Sequence, residues 1–114
     1  MSENTKDILV DLHDTFKSIK EADPDFYTAF KKFSDEAGKE GALPVKVKEL
    51  ICVALSIAEH CTFCIARHVE KAALAGATRE ELIEVGMVAG LMGGGPSLCY
   101  MKYLFDAIDQ LGIK

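Results

Sequence analysis

Two cysteines three positions apart, with a histidine four further on, stand in the segment EHCTFCIARH at residues 59–68. Three chemistries compete for such a set: a thiol pair cycling through a disulfide, ligands of a metal ion, or two small apolar core residues beside a histidine. On a helix, Cys61, Cys64 and His68 fall at relative angles of about 0°, −60° and −20°, at 100° per residue, so all three share one face. Cys61 also stands at or just before the first turn, where unpaired N–H groups and the helix dipole favour an anion. An ordinary thiol of pKa about 8.5 is only about 3% ionised at pH 7, against about 75% for one of pKa about 6.5. That shift requires about 2.7 kcal/mol, whereas a helix terminus supplies about 0.3–1 and at most about 2. A second group must help, and His68, one turn along the same face, can accept the thiol proton.

A histidine acting as a base needs a partner that fixes its tautomer and stabilises its charge. Glu59 and Glu49 are the candidates. If the chain reverses near residue 60, Glu49 lies about 16 Å back from the corner and His68 about 12 Å forward, at 1.5 Å per residue. Antiparallel helices then bring the two to nearly the same level. Glu59, adjoining the cysteine pair, would oppose thiolate formation there, so Glu49 is the better partner for an acid–histidine–cysteine relay. The plain alternative for Glu49 is a surface acid near the helix start, favoured by the dipole. Zinc on Cys61, Cys64 and His68 lacks a fourth ligand and the usual paired spacings, and no resident metal is expected. Cys52 and Cys99 sit in apolar stripes and read as core. His13 lies on a polar face, and His60, at a corner, reads as partly exposed.

The elements that must hold this set are helices. Apolar residues recur at helical spacing nearly throughout, with no stretch of alternation long enough for a strand. Ile8, Leu12, Phe16 and Ile19 mark a first helix, and Asp23 with Pro24 opens a second carrying Phe26, Phe30, Phe33 and Ala37. Gly38 and Gly41 stop it. Pro44 starts a third helix, apolar on every side from Leu50 to about Ala58, which reads as buried between others. A fourth runs from about Thr62 to Ala75, with Gly76 ending it. Thr78 and Glu81 have capping-box spacing for a fifth, through Leu82, Val85 and Val88. The run GGGP should break it, and Pro96 should open a sixth with Leu98, Met101, Leu104 or Phe105, and Ile108 inward. Gly86 and Gly90, four apart, predict close helix packing.

The thioredoxin frame is excluded for the cysteine pair, because its motif belongs at a strand-to-helix junction. The glycine run lacks the Gly-Lys-Ser/Thr ending of a phosphate loop. A chain of 114 residues, 49% hydrophobic, builds one domain with one core: residues 1–114, with a looser helical arm at 1–40 and the core at 43–111. The net charge of −5, without a basic cluster, points away from nucleic acid. The uncharged segment Leu50–Ala58 is about half a membrane span, so no membrane partner is expected. The start, MSENTKDIL, has no export signal, which places the chain in the reducing cytoplasm.

The segments KELICVALSIAEHCTFCIARHVEKAALAGATREEL and LMGGGPS resemble the alkylhydroperoxidase D-like branch of the carboxymuconolactone decarboxylase superfamily. The family motif, Glu, eleven residues, Cys-x-x-Cys, three residues, His, is met by Glu49, Cys61, Cys64 and His68. The resemblance implies an all-α subunit of about six helices with the cysteine pair at the start of a central helix. It further implies that Cys64 attacks a hydroperoxide, Cys61 resolves the product to a disulfide, and His68 with Glu49 relays the proton. The dipole alone would have favoured Cys61 as the more acidic thiol. Such an enzyme needs no bound cofactor, only an external dithiol or thioredoxin-like reductant, and it assembles as a homo-oligomer, a trimer or hexamer. Some members place a histidine between the cysteines; Phe63 here removes that second proton carrier. A non-catalytic oligomeric scaffold and a lactone decarboxylase using His68 and Glu49 are the rival readings.

Overall fold

Every helix start carries a chemical reason. Asn4 accepts the N–H groups of Lys6 and Asp7 and caps α1, Thr5–Ala22. Asp23 closes α1 and accepts from Phe26 N to cap α2, Pro24–Gly38, with Pro24 in its first turn. Pro44 offers no side-chain cap to α3, Val45–Ala58; Glu40 replaces it, its carboxylate accepting the Val45 N–H at 3.1 Å. Cys61 caps α4, Thr62–Leu74. Thr78 and Glu81 form the reciprocal capping box that opens α5, Arg79–Gln110. The computed structural model describes residues 4–114, and among these the elements are five helices with no strand.

The expected break in the glycine run is present, but as one residue rather than a loop. Gly94, at φ 69° and ψ −157°, leaves helical geometry and reverses the chain, so that α5 is a hairpin of two arms, residues 79–93 and 95–110. The arms touch where side chains are missing. A Cβ on Gly86 would lie 2.7 Å from Met101 Cε and 2.8 Å from Leu104 Cδ2, and one on Gly90 would collide with Leu98. Across the open end of the hairpin, Arg79 pairs with Asp109 at 3.1 Å. The sixth helix read from the sequence is therefore the second arm.

Val53, Ile57, Ile65, Val69, Leu82, Leu104 and Ile108 are fully buried where α3, α4 and both arms of α5 meet. On the second arm the inward stripe is Ser97, Met101, Leu104 and Ile108; Leu98, expected inward, is exposed. Cys99 was also expected in the core and is exposed. The third helix, expected to be buried all round, shows Ile51 and Leu55 at 43% and 55% exposure. Helices α1 and α2 pack through the Phe16–Phe30 ring stack, and α2 buries no side chain.

The longest uncharged run is not Leu50–Ala58 but Val85–Met101, and α5 as a whole is long and apolar enough to cross a membrane by length and composition. The reversal divides it into arms of roughly 22–24 Å, at 1.5 Å per residue, shorter than the ~30 Å hydrocarbon core. Each arm also gives side chains to the protein core.

The backbone at Gly94 lies in a region essentially restricted to glycine. Replacing Gly94 by Ala should lower stability by about 1–3 kcal/mol, read as a reduced urea midpoint. Gly95, where a Cβ would meet nothing within 4 Å, should accept Ala within about 0.5 kcal/mol. Equal losses at the two positions would place the hinge elsewhere.

Candidate active site

The corner between α3 and α4 decides how the site is assembled. Glu59 ends α3, and His60 adopts φ 57°, a left-handed conformation usually left to glycine. The His60 N–H donates to Ile57 O at 3.1 Å and the Cys61 N–H to Ser56 O at 3.0 Å. These two bonds satisfy the last carbonyls of α3 in a Schellman motif. They also turn the chain back, so that α4 packs along α3 and Cys61 arrives at the N-cap of α4. His60 itself is exposed, as expected, and its ring stacks on Tyr100 at 4.5 Å between centroids.

At that N-cap Cys61 and Cys64 are joined as a disulfide, their Cα atoms 5.2 Å apart. Cys61 Sγ accepts the backbone N–H of Cys64 at 3.2 Å, the hydrogen bond by which a cap residue satisfies an orphan donor of the first turn. Both cysteines are half-buried, whereas Phe63 between them is exposed.

One turn beyond Cys64, His68 points back to α3. Its Nδ1 lies 2.7 Å from Glu49 Oε1, so Glu49, and not Glu59, is the acid that meets the histidine. Side-chain exposure is 23% for His68 and 12% for Glu49. Burial pushes the Glu49 carboxyl upward, but the hydrogen bond to His68 and the positive charges of His68, Lys71 and Arg67 outweigh it, and its pKa is held below the ordinary carboxylate value. A carboxylate on Nδ1 sets the neutral ring with its proton on Nδ1, leaving Nε2 as the basic nitrogen.

Cys52 belongs to this cluster although its apolar surroundings in the sequence suggested core. It is half-buried, three residues after Glu49 on the same face of α3, and donor atoms of Glu49, Cys52 and His68 lie within 4.8 Å of one another. Burial and the Glu49 charge push the Cys52 thiol up despite the opposing charge of Lys71. The i, i+3 spacing from Glu49 was the signal that could have placed it here.

These three groups open onto a cavity of about 770 Å³ between α2, α3 and α4, with Phe30, Phe33, Ile51 and Leu74 among its apolar walls. Lys48, also in the wall, donates to the carbonyls of Ala37 and Lys39 and thereby ties the end of α2 to α3. Neither Cys61 nor Cys64 lines this cavity. The Glu49–His68 pair thus faces the cavity, and His68 stands one helical turn after Cys64 on α4.

The model of the carboxymuconolactone decarboxylase family matches residues 24–102. An uncharacterized protein of Cupriavidus necator is 35% identical over 111 residues, which are 97% of this chain and 98% of that protein. Uncharacterized protein 4 in the cox locus of Paracoccus denitrificans is 32% identical over 83 residues, covering 73% of this chain and 75% of its own. The crystal structure of an apo carboxymuconolactone decarboxylase family protein from Legionella pneumophila shares the fold with a TM-score of 0.87 at 36% identity, covering 97% of this chain and 96% of that one. By its matched span, its helical architecture and the agreement of both with these relatives, the chain belongs to the carboxymuconolactone decarboxylase family, with an alkylhydroperoxidase D-like arrangement of Glu49, Cys61, Cys64 and His68.

Proposed function

We propose that the protein is a cytoplasmic thiol oxidoreductase that reduces hydroperoxides through the Cys61–Cys64 pair. The observation that carries this reading is the 2.7 Å Glu49–His68 contact set one helical turn from Cys64, on the helix whose N-cap is Cys61. In the reduced protein His68 takes the Cys64 proton at Nε2, directly or through a water, while Glu49 stabilises the resulting imidazolium. The Cys64 thiolate attacks the outer oxygen of the hydroperoxide. The O–O bond breaks, Cys64 becomes a sulfenic acid, and the departing alkoxide takes the proton from His68 and leaves as an alcohol. Cys61, whose thiolate the N-cap favours, then attacks that sulfur, and the displaced hydroxide takes up the proton given up by the Cys61 thiol and leaves as water as the disulfide forms. This division of labour uses both local effects: the base acts on Cys64, and the helix terminus on Cys61. An external dithiol, a small molecule or a thioredoxin-like protein, restores the pair by exchange and carries away the two electrons.

The subunit assembles in this reading as a homo-oligomer, a trimer or hexamer. Ile51 and Leu55 on α3 and Met87, Val88, Leu91 and Met92 on α5 are exposed, the last two at 81% and 87%. Large side chains in that number are a surface that a partner subunit covers.

Three experiments test these statements. One equivalent of an organic hydroperoxide should remove two thiols from the reduced protein. Cys99→Ser should keep that loss, Cys64→Ser should abolish it, and Cys61→Ser should leave a sulfenic acid that dimedone traps. Unchanged thiols in the wild type would exclude the peroxidase reading. His68→Gln should slow the thiol loss by about 10²–10⁴, the usual range for removing a general base. Glu49→Gln should slow it less, and the double variant should be no slower than His68→Gln alone, because Glu49 acts through His68. Sedimentation should show a trimer or hexamer that Leu91→Glu with Met92→Glu dissociates; a monomeric wild type would refute the assembly.

The depressed Glu49 pKa fixes a sign for stability. A carboxyl titrating lower in the folded than in the unfolded chain contributes stability that is complete above the ordinary value of 4.5 and lost as pH falls through its folded value. The difference in urea midpoint between wild type and Glu49→Gln should therefore shrink as the pH falls below the ordinary carboxylate value. A difference that instead grows below that value would contradict the assigned direction.

A further inference from the structure

Cys52 has no task in the proton relay, yet its sulfur stands with the relay groups and not away from them. The three side chains offer three different donor atoms: a carboxylate oxygen from Glu49, a sulfur from Cys52 and an imidazole nitrogen from His68, all within 4.8 Å of one another. Glu49 and Cys52 come from one face of α3, His68 from α4, and the cluster opens on the 770 Å³ cavity. We infer that Glu49, Cys52 and His68 bind a divalent cation of the zinc class, with the cavity side left open as its fourth position, and that an ion held there takes the proton relay out of use.

Sulfur with imidazole and one carboxylate suits zinc or cobalt and disfavours magnesium and calcium, which demand oxygen ligands. Three protein ligands with a fourth position left to water is the pattern of catalytic rather than purely structural zinc. Binding needs two adjustments: with a zinc–sulfur bond of about 2.3 Å the sulfur stands about 3.5 Å from the other donors, so the widest gap, within 4.8 Å, closes by at most about 1.3 Å, and the O–N pair opens. Zinc bonds of about 2.0–2.1 Å at tetrahedral angles put O and N about 3.3 Å apart, so the Glu49–His68 pair, now at 2.7 Å, opens by about 0.6 Å. On binding, Cys52 releases its proton to solvent, and the thiolate with the Glu49 carboxylate balances the two positive charges of the ion. Lys71, near both Glu49 and Cys52, and Arg67, near Glu49, oppose the cation, which makes occupancy reversible. No electron is transferred.

The effect on the relay follows from the two ring nitrogens. Glu49 faces Nδ1, so the ion takes Nδ1, and the ring's remaining proton must move to Nε2. The nitrogen that serves as the base then becomes a donor and cannot accept the thiol proton. This consequence rests on the peroxidase reading; the metal site itself does not.

The test uses oxidised protein, in which Cys61 and Cys64 are paired and cannot ligate. Cobalt(II) added to it should give the near-ultraviolet thiolate-to-cobalt absorption, lost in Cys52→Ser and kept in Cys99→Ser. X-ray absorption of the zinc-loaded oxidised wild type, which needs no variant, should show one sulfur at about 2.3 Å and nitrogen or oxygen at about 2.0–2.1 Å. No thiolate band, a band that persists in Cys52→Ser, or a zinc shell without a single sulfur overturns the site. In reduced protein, zinc should slow hydroperoxide-driven thiol loss about a hundredfold, the lower range for losing a general base, and a chelator should restore it. The ratio of rates without and with zinc should fall to near one in Cys52→Ser. A ratio unchanged in that variant would place the inhibitory ion on Cys61 and Cys64 and overturn the regulatory effect. Absence of any thiol loss without metal would instead sink the peroxidase reading, with the cobalt and zinc spectra still deciding the site.

Discussion

A non-glycine residue at φ 57°, His60, holds the reversal on which the site is built. The left-handed conformation costs about 1–2 kcal/mol for an L-residue, and the two backbone bonds of the Schellman motif together with the Tyr100 stack offset it. An aromatic stack contributes about 0.5–1.5 kcal/mol, so the ring pair is of the right size to compensate most of the strain. Three consequences share this single turn. Helix α3 ends with its carbonyls satisfied, Cys61 lands on the N-cap of α4, and the two helices run back along one another in the register that sets Glu49 against His68. A corner longer by one residue would rotate Cys61, Cys64 and His68 together by about 100° around α4 and separate the histidine from its acid.

The Glu49–His68 pair is then a compromise between burial and charge. At 12% side-chain exposure the Glu49 carboxylate loses much of its hydration, and an unpaired charge there would be costly. The hydrogen bond to His68 and the neighbouring Lys71 and Arg67 reverse that penalty. That positive charge is supplied by α4 itself, on which both Arg67 and Lys71 lie.

Much of this arrangement is legible in the residue order, for physical reasons that differ from one element to the next. Glu49 was separable from Glu59 by counting rises along two helices around a corner, because helix length per residue is nearly invariant. The cap positions of Asp23, Cys61 and Thr78 follow from side-chain donors and acceptors at fixed offsets. Leu98, Cys99 and Ile51 are apolar yet exposed for a common reason: periodicity shows which residues are apolar, but not how much of each a neighbouring helix covers. Cys52 was hidden by its neighbours: among Leu50, Ile51 and Val53 it reads as one more apolar residue, and only the placement of α4 reveals that its face carries Glu49. The number of helices depended on Gly94, where one residue reverses the chain so abruptly that the two arms count as a single element.

The segment KELICVALSIA shows why α3 could be apolar on every side and still carry the acid of the site. Leu50, Val53 and Ile57 turn into the core, while Leu55 faces outward and Ile51, also exposed, reaches the cavity wall. Glu49 and Cys52 occupy the remaining sector toward α4 and the cavity. A helix of 3.6 residues per turn can divide its surface among three such sectors, and each sector here has a different constraint. The inner one is limited by volume, the outer one by solubility until a surface covers it, and the third by charge. Because all three are borne by the same few turns, a displacement at one sector is felt at the others. The packing of Leu50, Val53 and Ile57 in the core is therefore mechanically linked to the 2.7 Å contact of Glu49 with His68, since a rigid helix cannot move one face without moving the others.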